Sequence, residues 1–209
     1  MAAALKIFGL NCSLKTTKQD PKSSTDVLMQ QLYDALGEHG AAGDFVRAAD
    51  FNIKPGVKSD EGDGDQWPQL RKRILAADIF VLGSPVWMGQ PSSIAKRVVE
   101  RMDAFLEETD DKGRMPAFGK VAICVSVGNE DGAHHVSADV LQALFDVGFT
   151  IPANPVTYWV GEAMGSVDYK ELKKTPDKVA QVNAMLASNS AHLARLLKAE
   201  NYPGVEQKK

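Results

Sequence analysis

Apolar residues in this chain come in short continuous runs, separated by longer stretches in which they recur every three or four positions. Leu5 to Leu10, Ile79 to Leu82 and Gly119 to Val127 are runs of strand length, as expected for strands buried on both faces of a parallel sheet. Phe45 to Ala48 and Val156 to Val160 predict two shorter strands. Between them, Val27, Leu28, Leu32 and Leu36 make a helical face ended by Gly37 and Gly40, and Trp67 to Ala77 makes a second helix. After the start signals Pro91, Ser92 and Ser93, the residues Ile94, Val98, Met102 and Phe105 fall on one stripe, predicting a helix over Ser92 to Glu108. Helices over Ala133 to Val147 and about Pro176 to Glu200 complete the alternation.

Five buried strands joined by right-handed helical crossovers predict an α/β fold. Its core is a doubly wound, five-stranded parallel sheet in the order 2-1-3-4-5, with helices on both faces. That order brings the carboxyl ends of strands one, three and four to one edge, where open α/β sheets bind their ligands.

Three loops emerge there. The first runs from Asn11-Cys12-Ser13 through the polar stretch Leu14 to Lys22 and closes on Ser23-Ser24-Thr25-Asp26. Hydroxyls before a helix have two readings: they cap its orphan N–H groups, or they join those groups and the helix dipole in binding a phosphate. The second loop is Gly83-Ser84-Pro85-Val86-Trp87-Met88-Gly89, with a sharp turn expected after Leu82. Its glycines permit close backbone approach, Pro85 biases Ser84 towards extended backbone, and Trp87 supplies a large flat ring. The third, Gly128-Asn129-Glu130-Asp131-Gly132, reads either as an ordinary strand-to-helix turn or as a set of backbone groups facing the polar edge of a ring.

Composition narrows the classes. A chain of 209 residues with no long linker or repeat suggests one domain over residues 1–200, with a poorly ordered tail from Asn201 to Lys209. A net charge of −3 with 44% hydrophobic and 24% charged residues gives no reason to expect nucleic acid or membrane lipid as a partner. Met-Ala-Ala-Ala-Leu-Lys leads into no hydrophobic signal core and no apolar run approaches membrane-spanning length, so the expected location is the cytoplasm. Cys12 and Cys124 fall near the ends of strands one and four, with strand three between them. At about 4.8 Å per strand step they stand roughly 9 to 10 Å apart, and free thiols are expected. No metal-ligand spacing is evident. His134 and His135 open a helix and point in different directions; one donates a proton or meets a phosphate, or the pair is a surface feature without a role.

The run Gly-Ser-Pro-Val-Trp-Met-Gly-Gln-Pro-Ser-Ser, followed by Lys96 and the Glu100-Arg101 pair, resembles the flavin loop and next helix of the flavodoxin-like NAD(P)H-dependent FMN reductase family. The likeness covers roughly residues 4 to 160. It implies FMN as cofactor, with Ser13, Lys15, Ser24 and Thr25 at its phosphate and Ser84, Pro85, Val86, Trp87, Met88 and Gly89 at its ring. Ser126, Gly128, Asn129 and Gly132 would complete the flavin site. It further implies hydride transfer from NADH or NADPH to the flavin, then reduction of a quinone, flavin or similar small-molecule acceptor, and a homodimer. No side chain is marked as an indispensable catalytic base.

The chain departs from the family pattern at Asn11-Cys12 before Ser13, at Ser24 where Asn is common, and in a longer first loop. Ile53-Lys54-Pro55-Gly56-Val57 stands where iron–sulfur relatives carry clustered cysteines. The alternative function is a flavodoxin-type single-electron carrier. Such carriers are usually shorter and strongly acidic, because charge steers them to protein partners. A flavin-binding sensor is the third class.

Overall fold

The computed structural model describes residues 4–162 and 165–205. The elements are β1 (Leu5–Asn11), α1 (Ser24–Glu38), β2 (Ala41–Arg47), α2 (Trp67–Ala76), β3 (Ile79–Trp87), β4 (Gln90–Pro91), α3 (Ser93–Arg101), β5 (Val121–Val127), α4 (Ala133–Asp146), β6 (Val156–Trp159) and α5 (Asp177–Ala199). Five parallel strands lie in the order β2-β1-β3-β5-β6, while the two-residue β4 pairs with the end of β3. With β4 set aside, this is the flavodoxin-like order that the alternation of runs predicts.

The continuous apolar runs exist because each central strand is covered twice. Phe80 and Leu82 face α2, α3 and α4, where they meet Trp67, Leu70, Val98 and Leu144. Ile79 and Val81 face α1 and α5, against Leu28, Leu32, Leu186 and Ala191. Each such large side chain removed from water contributes about 1.5–3 kcal/mol. Cys12, just past the end of β1, and Cys124, on β5, are both buried and unpaired.

The elements differ from expectation in four places. β3 does not turn after Leu82: pairing with β5 continues through Gly83↔Val125, Ser84↔Ser126 and Pro85↔Val127. Pro85 is tolerated because β1 ends at Asn11, opposite Gly83, so its missing N–H leaves no neighbour on that side unpaired. The reversal comes at Met88-Gly89, with φ of 51° and 72°. These two left-handed residues join Trp87 to Gln90 in a tight hairpin whose twist matches its strands.

The second strand starts at Ala41 rather than Phe45; as the sheet edge it exposes Ala42, Gly43 and Asp44 and so lacks an apolar pattern there. The helix expected over Ser92 to Glu108 ends at Arg101, and a 3-10 turn covers Asp103–Leu106. Met102 and Phe105 remain buried across that change, which is why their spacing reads as one helix. Asn201 to Val205, expected as a flexible tail, lie along the turn at residues 112–118. The Val205 N–H donates to the Lys112 carbonyl at 2.8 Å, and the Tyr202 ring packs edge-on against Phe118. Residues 206–209 of that tail lie outside the described residues, as do Ala163 and Met164 in the loop from Gly161 to Tyr169.

Candidate functional site

Asn11, the last residue of β1, organises the first loop. Its side-chain oxygen accepts from the Ser13 N–H at 2.8 Å and the Ser13 hydroxyl at 2.7 Å, while its amide donates to Ser23 Oγ and to Asp26. Ser23 and Asp26 form a reciprocal capping box at the start of α1. Asp26 is also ion-paired to Arg47, a side chain only 1% exposed at the end of β2. Arg47 in turn donates to the carbonyls of Lys15, Thr16 and Asp20. The stretch that reads as an open polar loop is thus fastened from inside by one arginine. Arg47 is itself spent on this task. What faces the cleft is Ser13, Lys15, Ser24 and Thr25, together with the first-turn N–H groups that a helix leaves without intrahelical acceptors.

The second and third loops meet as a unit. Pro85, Val86 and Trp87 of β3 line the same cleft as Gly128 and Asn129, and Trp87 is 49% exposed. A Cβ on Gly128 would come within 2.8 Å of the Val86 Cβ, and one on Gly132 within 2.5 Å of the Gly89 Cα, where φ is already +127°. These glycines let the third loop lie directly against the β3–β4 hairpin. Glu130 completes the contact by accepting the Met88 N–H at 2.8 Å.

Five expected site residues do not line the cleft. Ser84 and Ser126 are fully buried behind it. Ser84 accepts the Ser92 N–H at 3.0 Å, and the Ser92 hydroxyl reaches the Cys12 carbonyl at 2.7 Å, so the pair ties the first loop to the second. The Ser126 hydroxyl has no partner among the described residues. Met88, 86% exposed, sits at the hairpin tip, with Gly89 and Gly132 at its contact with the third loop. The histidines stand aside as well: His134 packs edge-on against Tyr158, and His135 contacts Gln90 at 3.1 Å and Asp139 at 3.5 Å.

A fourth wall comes from the end of β6 and the β6–α5 connection. Trp159, Asp168, Tyr169 and Lys170 border the cleft, which holds about 350 Å³. Tyr169 is buried, packs against Trp159 and donates its hydroxyl to Gln31 of α1; burial pushes that phenol up to about 12. Lys170 places its backbone N–H 3.3 Å from Ser24 Oγ and its ammonium 3.3 Å from the Asp20 carboxylate. Partial burial pushes the Asp20 carboxyl up, but the Lys170 ammonium and the Lys22 N–H more than offset this and hold it below its usual range.

Asn11, Asp26 and Arg47 carry no conspicuous local signal, except that Ser23-x-x-Asp26 has the spacing of a capping motif. Hydroxyls, N–H groups and lysines at one end, with an exposed indole and loop backbone at the other, suit a phosphate monoester attached to a planar ring. Among the described residues no cluster of three or more His, Cys, Asp or Glu side chains is arranged to hold a metal ion, and no helix is long and apolar enough to cross a membrane.

Residues 5–165 match the family described as NADPH-dependent FMN reductase. The 8-demethyl-8-aminoriboflavin-5'-phosphate synthase of Streptomyces davaonensis is 31% identical over 95% of this chain and 80% of its own length. A divalent metal cation transporter, MntH, of Mycobacterium bovis is 34% identical over 93% of this chain, which spans only 29% of that protein. Among solved structures, RosB with a bound 8-demethyl-8-formylriboflavin-5'-phosphate intermediate superposes with a TM-score of 0.86 at 31% identity, covering 95% of this chain and 82% of that one.

Proposed function

From the premise that this chain belongs to the NADPH-dependent FMN reductase family, we propose that it is an NAD(P)H-linked oxidoreductase that holds FMN in the cleft and reduces a small-molecule acceptor such as a quinone or a flavin. The observation that carries this reading is the convergence of three strand-end loops on one cleft, with an anion-suited end at α1 and an aromatic end at Trp87. Bound FMN would supply the redox chemistry, taking a hydride from the nicotinamide and delivering two electrons onward.

The chain's own part is to bind and orient. The Ser24 and Thr25 N–H groups, the hydroxyls of Ser13 and Thr25 and the Lys15 ammonium hold the phosphate. Pro85, Val86 and Trp87, with the backbone of Gly128 and Asn129, line the other end of the cleft and would hold the ring. The partly exposed Trp87 leaves the cleft open to an incoming nicotinamide or acceptor. A homodimer in the cytoplasm belongs to the same proposal.

The test is anaerobic. The FMN-loaded protein is mixed with NADH and with NADPH while the flavin absorbance is followed, then given a quinone or free flavin. Bleaching by one nicotinamide and recovery with the acceptor are expected; a protein that takes up no FMN sinks the reading. Reduction only through a second protein would instead mark a carrier. A further reading, that a riboflavin 5'-phosphate is the substrate rather than the cofactor, rests on the likeness to the synthase. Mass spectrometry of the flavin after many turnovers separates the two: an unaltered FMN supports the reductase, and a changed ring supports flavin modification.

A further inference from the structure

We infer that Lys170 is a phosphate ligand of this cleft, poised by Asp20 until the phosphate arrives. The inference rests on the FMN-binding reading above and adds a residue beyond the segment that matches the family, which ends at residue 165.

The geometry behind it starts with where the Lys170 backbone is held. A 3-10 turn over Tyr169–Glu171 is fixed by a capping box in which the Asp168 N–H donates to Glu171 at 2.9 Å. Tyr169, 2% exposed, anchors the turn to α1 through Gln31. The Lys170 N–H then rests 3.3 Å from the hydroxyl of Ser24, the first residue of α1. The root of the lysine side chain is therefore docked on the helix end whose unpaired N–H groups attract an anion. Its ammonium lies 3.3 and 3.4 Å from the two Asp20 oxygens, longer than a tight charge-assisted bond, with both side chains part-exposed at the cleft. Lysine carries three donors on a flexible stem, so it can turn to a phosphate oxygen while keeping Asp20 as a second acceptor.

Asp20 cannot leave with equal ease. Its main-chain carbonyl is gripped by Arg47, which keeps the residue at the cleft wall. A phosphate dianion entering beside Asp20 meets a like charge, and Lys170 is the cation held against that carboxylate at the cleft wall. Lys170 thus has two effects on a phosphorylated ligand and none on the same ring without phosphate: it donates to the phosphate, and it screens Asp20.

The experiment measures binding of FMN and of riboflavin to the full-length apoprotein by flavin fluorescence, so it requires no turnover. K170Q is expected to weaken FMN about tenfold, the scale of one lost hydrogen bond to a charged group, and to leave riboflavin unchanged. K170R should recover most of the loss. D20N should tighten FMN in the wild-type background and offset part of the K170Q loss in the double variant, because it removes the repulsion that Lys170 screens. If the wild-type protein binds FMN and K170Q binds it equally well, or if K170Q weakens FMN and riboflavin alike, the Lys170 inference is overturned while the cofactor reading stands. If the wild-type protein binds neither flavin, the cofactor reading fails first and takes this inference with it.

Discussion

Gly132 shows how much of this cleft depends on a single missing atom. Its φ of +127° is one that side chains rarely adopt, and a Cβ there would press to 2.5 Å on the Gly89 Cα of the hairpin. Gly132→Ala should separate the third loop from the hairpin that carries Trp87. It should cost about 1–3 kcal/mol of stability, the scale of one strained backbone position, and weaken FMN binding, both read in a thermal melt with and without flavin. The two cysteines make a different residue-scale prediction. Burial pushes the Cys124 thiol up to about 12, and burial together with the nearby Cys124 moves Cys12 up further still. Neither is a thiolate near neutrality, so a thiol reagent should label none in the native protein and both after unfolding. Early labelling at native conditions would contradict this packing. The expected strand order already sets the two cysteines too far apart for a disulfide, but nothing in the sequence shows that Arg47 is consumed by three carbonyls. An arginine within a short strand looks the same in sequence whether it points to solvent or inward.

Among the elements, the segment between β2 and α2 is rich in Asp and Gly. In the fold it is fastened by Arg101 of α3. Arg101 and Asp65 form an ion pair at 2.8 Å with neither side chain exposed, and Arg101 also donates to the carbonyls of Lys54 and Lys58. Burial by itself would raise the Asp65 carboxyl. The Arg101 hydrogen bond and the N–H groups of Glu61, Trp67 and Lys54 instead hold it well below the usual carboxylate range. A carboxyl depressed in the fold stabilises it above the unfolded value, about 4, and the contribution fades as pH falls from there through the folded value. Asp65→Asn leaves a buried guanidinium without its counter-charge and should cost about 3–5 kcal/mol at neutral pH, measured by urea unfolding. The gap between variant and wild type should narrow as pH drops below about 4. A gap that holds constant with pH would mean that the Asp65 charge is not what the fold uses. The apolar stripe of α3 was read correctly from its spacing, but its end was not, because Met102 and Phe105 stay buried through a 3-10 turn.

For the molecule as a whole, ligand and stability are linked. FMN that binds only the folded chain stabilises it by about 2.7 kcal/mol at a hundredfold excess over Kd. In a chain of this size that should raise Tm by roughly 5–10 °C, with riboflavin giving a smaller shift at equal concentration because it lacks the phosphate. A flavin-independent Tm would count against the cleft as the binding site. The sequence alone was enough for the sheet, its strand order and the three loops at its carboxyl edge, because burial on both faces writes continuous apolar runs and helices write their own period. Those are local patterns, clear at the central strands and the helices and weak only at the edge strand β2. It was not enough for Asn11 against Ser23, Glu130 against Met88, or Tyr169 and Lys170 against α1. Those pairs are separated by 12, 42, 138 and 146 residues. Polar side chains of ordinary type find such partners only once the crossovers have set which loops share an edge, so tertiary structure decided which groups wall the cleft.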